Sequence, residues 1–251
     1  LNEAVFRFYD ALNDFLFVER KNRSFAFRFH ENPGIKDPIE AIGVPHTEVD
    51  LILVNGTSVD FKYRLQEGDQ VAVYPLDSKV DISHIVRLRE KPDRPAFILD
   101  VHLGKLARML RFLGFDVRYQ NHCADLEIAK ISVRDGRIVL TRDRRLLFRK
   151  EIAHGYWLRS TDPDKQVLEI LTYFDLRGKI ASFHRCALCN DEITWVDKAE
   201  IIDRLEPKTK KYYDQFYRCT GCEKIYWKGS HYERIKKHFD TLVAMDSPCV
   251  T

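Results

Sequence analysis

Residues 96–150 read AFILDVHLGKLARMLRFLGFDVRYQNHCADLEIAKISVRDGRIVLTRDRRLLFRK. Three short apolar runs alternate here with segments of helical spacing. The unbroken run AFIL predicts a strand covered on both faces, as strands of a parallel sheet are. After it, Leu103, Leu106, Ala107, Leu110 and Leu113 recur at helical spacing, and Gly114 supplies a C-terminal stop. FDVRY predicts a second strand, ADLEIAKISVRDG a second helix, RIVLT a third strand and RRLLFRK the start of a third helix. YWLRS and a helix over roughly 164–174 follow. Such alternation implies parallel strands with right-handed crossovers, hence a three-layer α/β domain.

Ligands of such sheets bind outside the carboxyl ends of the strands. Asp100 follows AFIL, Asp143 follows IVLTR, and Asp125 opens the helix after FDVRY, so topology is expected to bring all three to one rim. Crowded carboxylates repel unless a cation neutralises them. An all-oxygen set suits Mg²⁺ or Mn²⁺, which accept phosphate oxygens and activate water. Each aspartate could instead cap a helix, since Asp accepts free backbone N–H groups and suits the macrodipole. Asp162, after the YWLRS strand, is the candidate for a fourth acid, with Glu127 in competition. His122 and Cys123 suit a softer metal or an ordinary loop. Thr141 could hold the Asp143 loop through its hydroxyl, or simply end a strand.

Charge follows the aspartates. Residues 96–180 carry 16 Lys/Arg against 11 Asp/Glu, whereas residues 1–95 carry 13 against 16. Lys105, Arg108, Arg142, Arg144 and Arg145 lie near the three acids, with Arg149 and Lys150 just beyond. That pattern suits a polyanionic substrate, and a solvated basic face explains it as well. The net charge of +3, 45% hydrophobic content and 31% charged residues are those of an ordinary globular protein. No apolar run approaches the roughly 18 residues that would span a bilayer, and LNEAVFRFYD lacks the features of a signal peptide. The expected location is the cytoplasm, with no membrane partner.

Ahead of this core, AVFRFY and SFAFRF alternate as strands around a polar turn near 19–23. IKDPIEAIGV is a short helix with Pro38 in its first turn and Gly43 at its end. VDLILVNG runs into an Asn-Gly hairpin turn, and QEGDQVAVYP adds a last strand. Strand–strand–helix–strand–strand is a ubiquitin-like β-grasp order. The polar, proline-punctuated SHIVRLREKPDRP reads as a linker. The expected division is therefore a β-grasp domain over 1–80, a linker over 81–95, a core over 96–180 and a third module over 181–251.

That third module holds RCALCN and RCTGCEKIYW. Cys186, Cys189, Cys219 and Cys222 form two Cys-x-x-Cys knuckles, a set that binds one tetrahedral structural Zn²⁺. The 29 residues between them exceed the usual spacing, which implies an inserted hairpin with a charged tip near EPKTKKYY. Disulfides are disfavoured in a cytosolic chain, and Cys249 has no partner spacing. Trp227, Lys228 and His231 belong to an aromatic and basic run of the kind that binds single-stranded nucleic acid. Packing of the ribbon against its last helix is the alternative, and Phe183 fits that packing better than base stacking.

FILDVHLGKLARMLRFLGFDV, ADLEIA and GRIVLTRDRRLL resemble the Mut-seven-C RNase domain, a member of the PIN-like nuclease group. GVPHTEVDLILVNG…EGDQVAVYP resembles the ubiquitin-like domain found in front of such RNases, and FHRCALCN…FYRCTGCEKIYWKGSHYERI resembles the family's end. More distantly the first module is similar to sulfur carriers, but Pro75 and further chain stand where those need a free Gly-Gly. The resemblance implies metal-dependent cleavage of RNA, single-stranded or structured such as tRNA, with Asp100, Asp125 and Asp143 as metal ligands. It leaves room for a protein partner at the ubiquitin-like module. A non-cleaving RNA-binding or ribosome-associated adaptor is the alternative. A small-molecule phosphohydrolase fits less well, because His102 stands where a second aspartate is usual.

Overall fold

The computed structural model describes residues 1–78, 87–88 and 93–245. Most of the expected 81–95 linker, and Cys249, lie outside the described residues. In chain order the elements are β1 (Asn2–Phe8), β2 (Phe25–Phe29), α1 (Lys36–Ile42), β3 (Leu51–Val54), β4 (Thr57–Val59) and β5 (Gln70–Tyr74). Then follow β6 (Ala96–Leu99), α2 (Gly104–Phe112), β7 (Asp116–Arg118), α3 (Asp125–Asp135), β8 (Ile138–Thr141), α4 (Arg144–Leu147), β9 (Gly155–Trp157) and α5 (Pro163–Tyr173). The last are β10 (Ile193–Val196), α6 (Lys198–Ile201), α7 (Pro207–Tyr212), β11 (Phe216–Cys219), β12 (Ile225–Tyr226) and α8 (Ser230–Met245). The chain forms a mixed α/β structure of two compact units, Leu1–Asp93 with Ala124–Trp157, and Arg94–Cys123 with Leu158 onward.

The first unit holds a five-stranded sheet in the order β2-β1-β5-β3-β4, with β1 and β5 parallel and every other pair antiparallel. This is the ubiquitin-like β-grasp. Alternation decides it: Ala4, Phe6 and Phe8 of β1 face inward and meet Ile35 and Ile39, all at most 1% exposed. Gly43 stops α1 at φ 115°, as its position predicts. Asn55 and Gly56 take φ 51° and 83°, the left-handed pair that the hairpin needs.

Two details differ from the sequence reading. The hairpin returns as β4, paired with β3 through Ile52↔Val59, where four strands were expected; TSV is too short to show a period. The connection from β1 to β2 is no simple polar turn, because 3-10 turns at Asp10–Phe15 and Val18–Arg20 bury Leu12 and Phe15 in the core.

The same unit contains β8, buried at every residue, and β9 parallel to it in the register Val139↔Gly155. The segment 45–49 fastens the β-grasp to this part through backbone groups. Thr47 Oγ1 donates to the Leu147 carbonyl at 3.1 Å, His46 Nε2 lies 2.9 Å from the Ile152 carbonyl, and the Trp157 N–H donates to the Glu48 carboxylate.

In the second unit β6 pairs parallel with β7, Phe97↔Val117. Helix α2 turns Leu106, Ala107 and Leu110 into the core, and Phe97 meets Phe174 edge-on at 5.4 Å. The order β10-β11-β12 is an antiparallel ribbon. The insertion between the cysteine pairs is more than a hairpin with a charged tip. It folds into α6, capped by Asp197 accepting from the Ala199 N–H at 2.8 Å, and α7, which Pro207 starts. Ile201, Leu205 and Phe216 give it a small core of its own.

Gly114 ends α2 at φ 95°, and a Cβ there would sit 2.3 Å from the Ala181 carbonyl oxygen. The Ala181 N–H in turn donates to the Leu113 carbonyl at 2.9 Å. Gly114→Ala therefore combines backbone strain with a clash against backbone that cannot rotate away. A loss of roughly 2–4 kcal/mol in unfolding free energy is expected in chemical denaturation. Gly136→Ala, with nothing within 4 Å of the added carbon, is the milder comparison.

Candidate metal centres

The four cysteine sulfurs all lie within 4.8 Å of one another. Among the described residues this is the one group of three or more metal-type side chains whose ligand atoms come together. Cys186 Sγ is 3.5 Å from Cys222 Sγ, and Cys189 Sγ is 3.2 Å from Cys219 Sγ. Disulfide bonding needs about 2.05 Å, whereas four Zn–S bonds of about 2.3 Å put sulfurs roughly 3.8 Å apart. The donor set, its all-thiol chemistry and its pairing of one knuckle with the other fit zinc.

Electrostatics point the same way. Burial pushes the Cys186 thiol up, but the Tyr226 hydroxyl 3.0 Å away and the backbone N–H groups of Cys189 and Leu188 outweigh it, bringing it down to about 6. Burial raises Cys189 to about 11 and also raises Cys219 and Cys222. One thiolate is thus favoured and its neighbours resist joining it, a balance that a divalent cation reverses.

Sequence reasoning missed what holds the first knuckle. Arg111 is 4% exposed on α2, and its guanidinium donates to the carbonyls of Leu188 at 2.6 Å and Val117 at 2.9 Å. Asn190 completes the attachment, accepting from the Val117 N–H and donating to the Asp116 carboxylate, both at 2.8 Å. The signal was present, since Arg111 stands four residues after Ala107 and so on the apolar face of α2. Arg111→Ala removes the donor from the buried bond to the Val117 carbonyl and from the part-buried bonds to Ala187 and Leu188. It is expected to cost roughly 2–4 kcal/mol in unfolding free energy, and to speed zinc release to a chromogenic chelator.

The aspartates at 100, 125, 143 and 162 make no such group among the described residues. Asp100 directly follows β6 and is 7% exposed, in extended backbone before the turn Val101–Leu103. Asp143 stands just past β8. Its N–H donates to Thr141 Oγ1 at 2.9 Å, and its Oδ1 caps α4 by accepting from the Arg145 N–H at 2.8 Å. The hydroxyl hold on the Asp143 loop is therefore present, and so is the cap. Asp162 caps α5, accepting from the N–H groups of Asp164 at 2.8 Å and Lys165 at 3.4 Å. Asp125 and Glu127 are exposed in the first turn of α3, where Ala124 rather than Asp125 holds the cap position.

Lys105, Arg108, Arg142 and Arg145 are exposed. Arg144 is engaged: its Cζ lies 3.7 Å from the centroid of a Trp157 ring, and it donates to the Asp14 carbonyl at 3.3 Å. Trp157 Nε1 donates to the Arg142 carbonyl at 3.2 Å, so this ring braces both flanks of Asp143. In the ribbon, Trp227 packs near Phe216 with ring centroids 6.4 Å apart, and Lys228 Nζ sits 5.8 Å from the Phe183 ring. Phe183 meets Tyr217 and Tyr232 edge-on, each at 4.9 Å, in line with a packing role. His231 is exposed. No helix among the described residues is long and apolar enough to cross a membrane.

The Mut7-C RNAse domain model matches residues 95–239, and the Mut7-C ubiquitin model matches residues 1–81. A human protein described as exonuclease mut-7 homolog is 26% identical over a match that covers 61% of this chain. The same match spans 26% of the human protein's length, so this chain corresponds to about a quarter of it. No solved structure matches.

Proposed function

Because this chain belongs to the Mut7-C RNAse domain family, a nuclease family, we propose that it is a metal-dependent ribonuclease. The observation that carries the reading is that the family match over 95–239 contains Asp100, Asp125, Asp143 and Asp162. Asp100, Asp125 and Asp143 are proposed as the ligands of Mg²⁺ or Mn²⁺, with Asp162 as the fourth acid. The donor set fits, being all carboxylate oxygen with Asp100 largely withdrawn from water, where a cation offsets the cost of a buried charge. When bound, such an ion activates a water and stabilises the leaving oxygen of a phosphodiester.

Around it, Lys105, Arg108, Arg142 and Arg145 are proposed to hold RNA phosphates. Arg144 keeps its neighbours in place through Trp157. The division into 1–80, 81–95, 96–180 and 181–251 is kept as a proposal; one family model covers 1–81 and the other runs from 95 to 239 across the last two parts. The ubiquitin-like module is proposed to brace the Asp143 loop and to leave its outer sheet face to a protein partner. Zinc is proposed to hold the ribbon.

The caps made by Asp143 and Asp162 favour a second reading, an RNA-binding chain that does not cut, because both carboxylates have a structural use without metal. The test uses end-labelled single-stranded RNA and tRNA, with Mn²⁺, with Mg²⁺, and with no added divalent ion. Cleavage only in the metal arms is the expected result. RNA that is bound but left intact in every arm would establish the second reading instead.

A further inference from the structure

The ribbon carries a cavity of about 650 Å³, within the range of small-ligand sites. Aromatic rings wall it, among them Tyr212, Tyr213, Trp227 and Tyr232. Two walls are fixed by packing. Tyr213 and Trp227 lie with ring centroids 6.3 Å apart, and Tyr232 stands edge-on to Phe183 at 4.9 Å. Tyr212, at the end of α7, is left 67% exposed at the opening. Every charged side chain in the lining is basic, namely Arg185, Lys208 and Lys224. Arg185 already faces Asp116 at 3.6 Å, but Lys208 and Lys224 make no ion pair among the described residues.

Flat aromatic walls ask for a flat apolar body, and cations without a carboxylate ask for an anion beside it. An unpaired nucleotide has both, and its base faces are free only in a single strand. We propose that this cavity is a stacking pocket for one unpaired nucleotide of single-stranded RNA, with Lys208 and Lys224 taking the flanking phosphates. The proposal rests on RNA being the substrate and adds a second contact region to it. Phe112, the last residue of α2, lines the cavity, while Asp100 precedes that helix. The helix between them is about 12 Å long at 1.5 Å per residue. The pocket therefore holds a nucleotide away from the bond that is cut, and it governs KM rather than kcat.

Fluorescence anisotropy with a short labelled single-stranded RNA tests this in full-length Asp100→Asn protein without added divalent ion, so that binding is read apart from cleavage. Adding Tyr212→Ala together with Lys208→Glu is expected to weaken binding by about tenfold or more, the scale of one lost base stack plus a phosphate contact. Binding of a duplex RNA of the same length is expected to stay unchanged, and zinc content confirms that the ribbon is folded. Ultraviolet crosslinks from 4-thiouridine RNA are expected in the peptide over 207–232. Unchanged affinity, crosslinks confined to other peptides, or equal weakening of duplex and single strand would overturn the pocket. Wild-type cleavage of RNA together with unchanged affinity in the double variant would overturn the pocket and leave the ribonuclease reading standing. Weakened binding with no cleavage by the wild type would do the reverse.

Discussion

Cys186→Ser is expected to empty the zinc site and unfold the ribbon. Bound zinc should fall from about one per chain to near none after dialysis, read by plasma mass spectrometry. Cys186 is 0% exposed, accepts or shares a hydrogen bond with the Tyr226 hydroxyl at 3.0 Å, and faces Cys222 across the site. A serine hydroxyl at that place is shorter and does not ionise, so the cation loses its best-prepared ligand. The ribbon has little to fall back on. Its buried cluster at the site is Cys186, Ile193 and Cys219, with Tyr217 and Tyr226 packed against it. Its other cluster is only Val196, Ile201, Leu205 and Phe216, small beside the roughly 10–16 kcal/mol that a structural zinc contributes to folding. The loss should spread no further than the ribbon's attachments at Arg111, Asn190 and Asp116, leaving the β-grasp sheet with its own core of Phe6, Phe8, Ile39 and Val73. Cys222→Ser, at an exposed position, should weaken zinc rather than abolish it, and Cys123→Ser should do nothing to it. Full zinc content in Cys186→Ser would end the zinc-ribbon assignment.

The parts of this molecule that the sequence announced are those where one physical demand acts alone. A strand buried on both faces must be almost wholly apolar, and Ile138, Val139 and Leu140 make it so; two thiolate pairs at metal spacing have few other uses, and the four sulfurs converge. Gly43 and the Asn55-Gly56 turn were legible because only a few residues tolerate positive φ. Short elements held by tertiary context were not legible. β4 has three residues and pairs only because β3 presents an edge, and α7 forms where a lysine-rich stretch gave only charge to read. The segment 45–48, between the helix and VDLILVNG, carried no reading of its own, yet its polar side chains bind backbone groups of α4, of β9 and of Ile152 between them. Nothing local distinguishes a Thr or Glu that will find a partner a hundred residues away.

The aspartates are ambiguous for a different reason: a carboxylate at a strand end before a helix serves equally as a cap or a ligand. Substitution separates the two. Asn caps a helix as well as Asp does, so Asp143→Asn should leave the α4 bond to the Arg145 N–H in place and the unfolding free energy within a few tenths of a kcal/mol. Cleavage should nevertheless fall roughly 10²–10³-fold, the scale of losing one charge-stabilising group. Asp143→Ala should lose about 1 kcal/mol of stability as well. Asp100→Asn is the sharper case, because Asp100 caps nothing through its side chain and is buried. Its cleavage should fall at least as far as that of Asp143→Asn, and added Mn²⁺ should no longer raise its melting temperature. Asp162→Asn decides the fourth acid: its α5 cap survives the change, so lost cleavage marks a ligand and retained cleavage marks a cap. Full cleavage by both Asp100→Asn and Asp143→Asn would mean that the chemistry uses other residues.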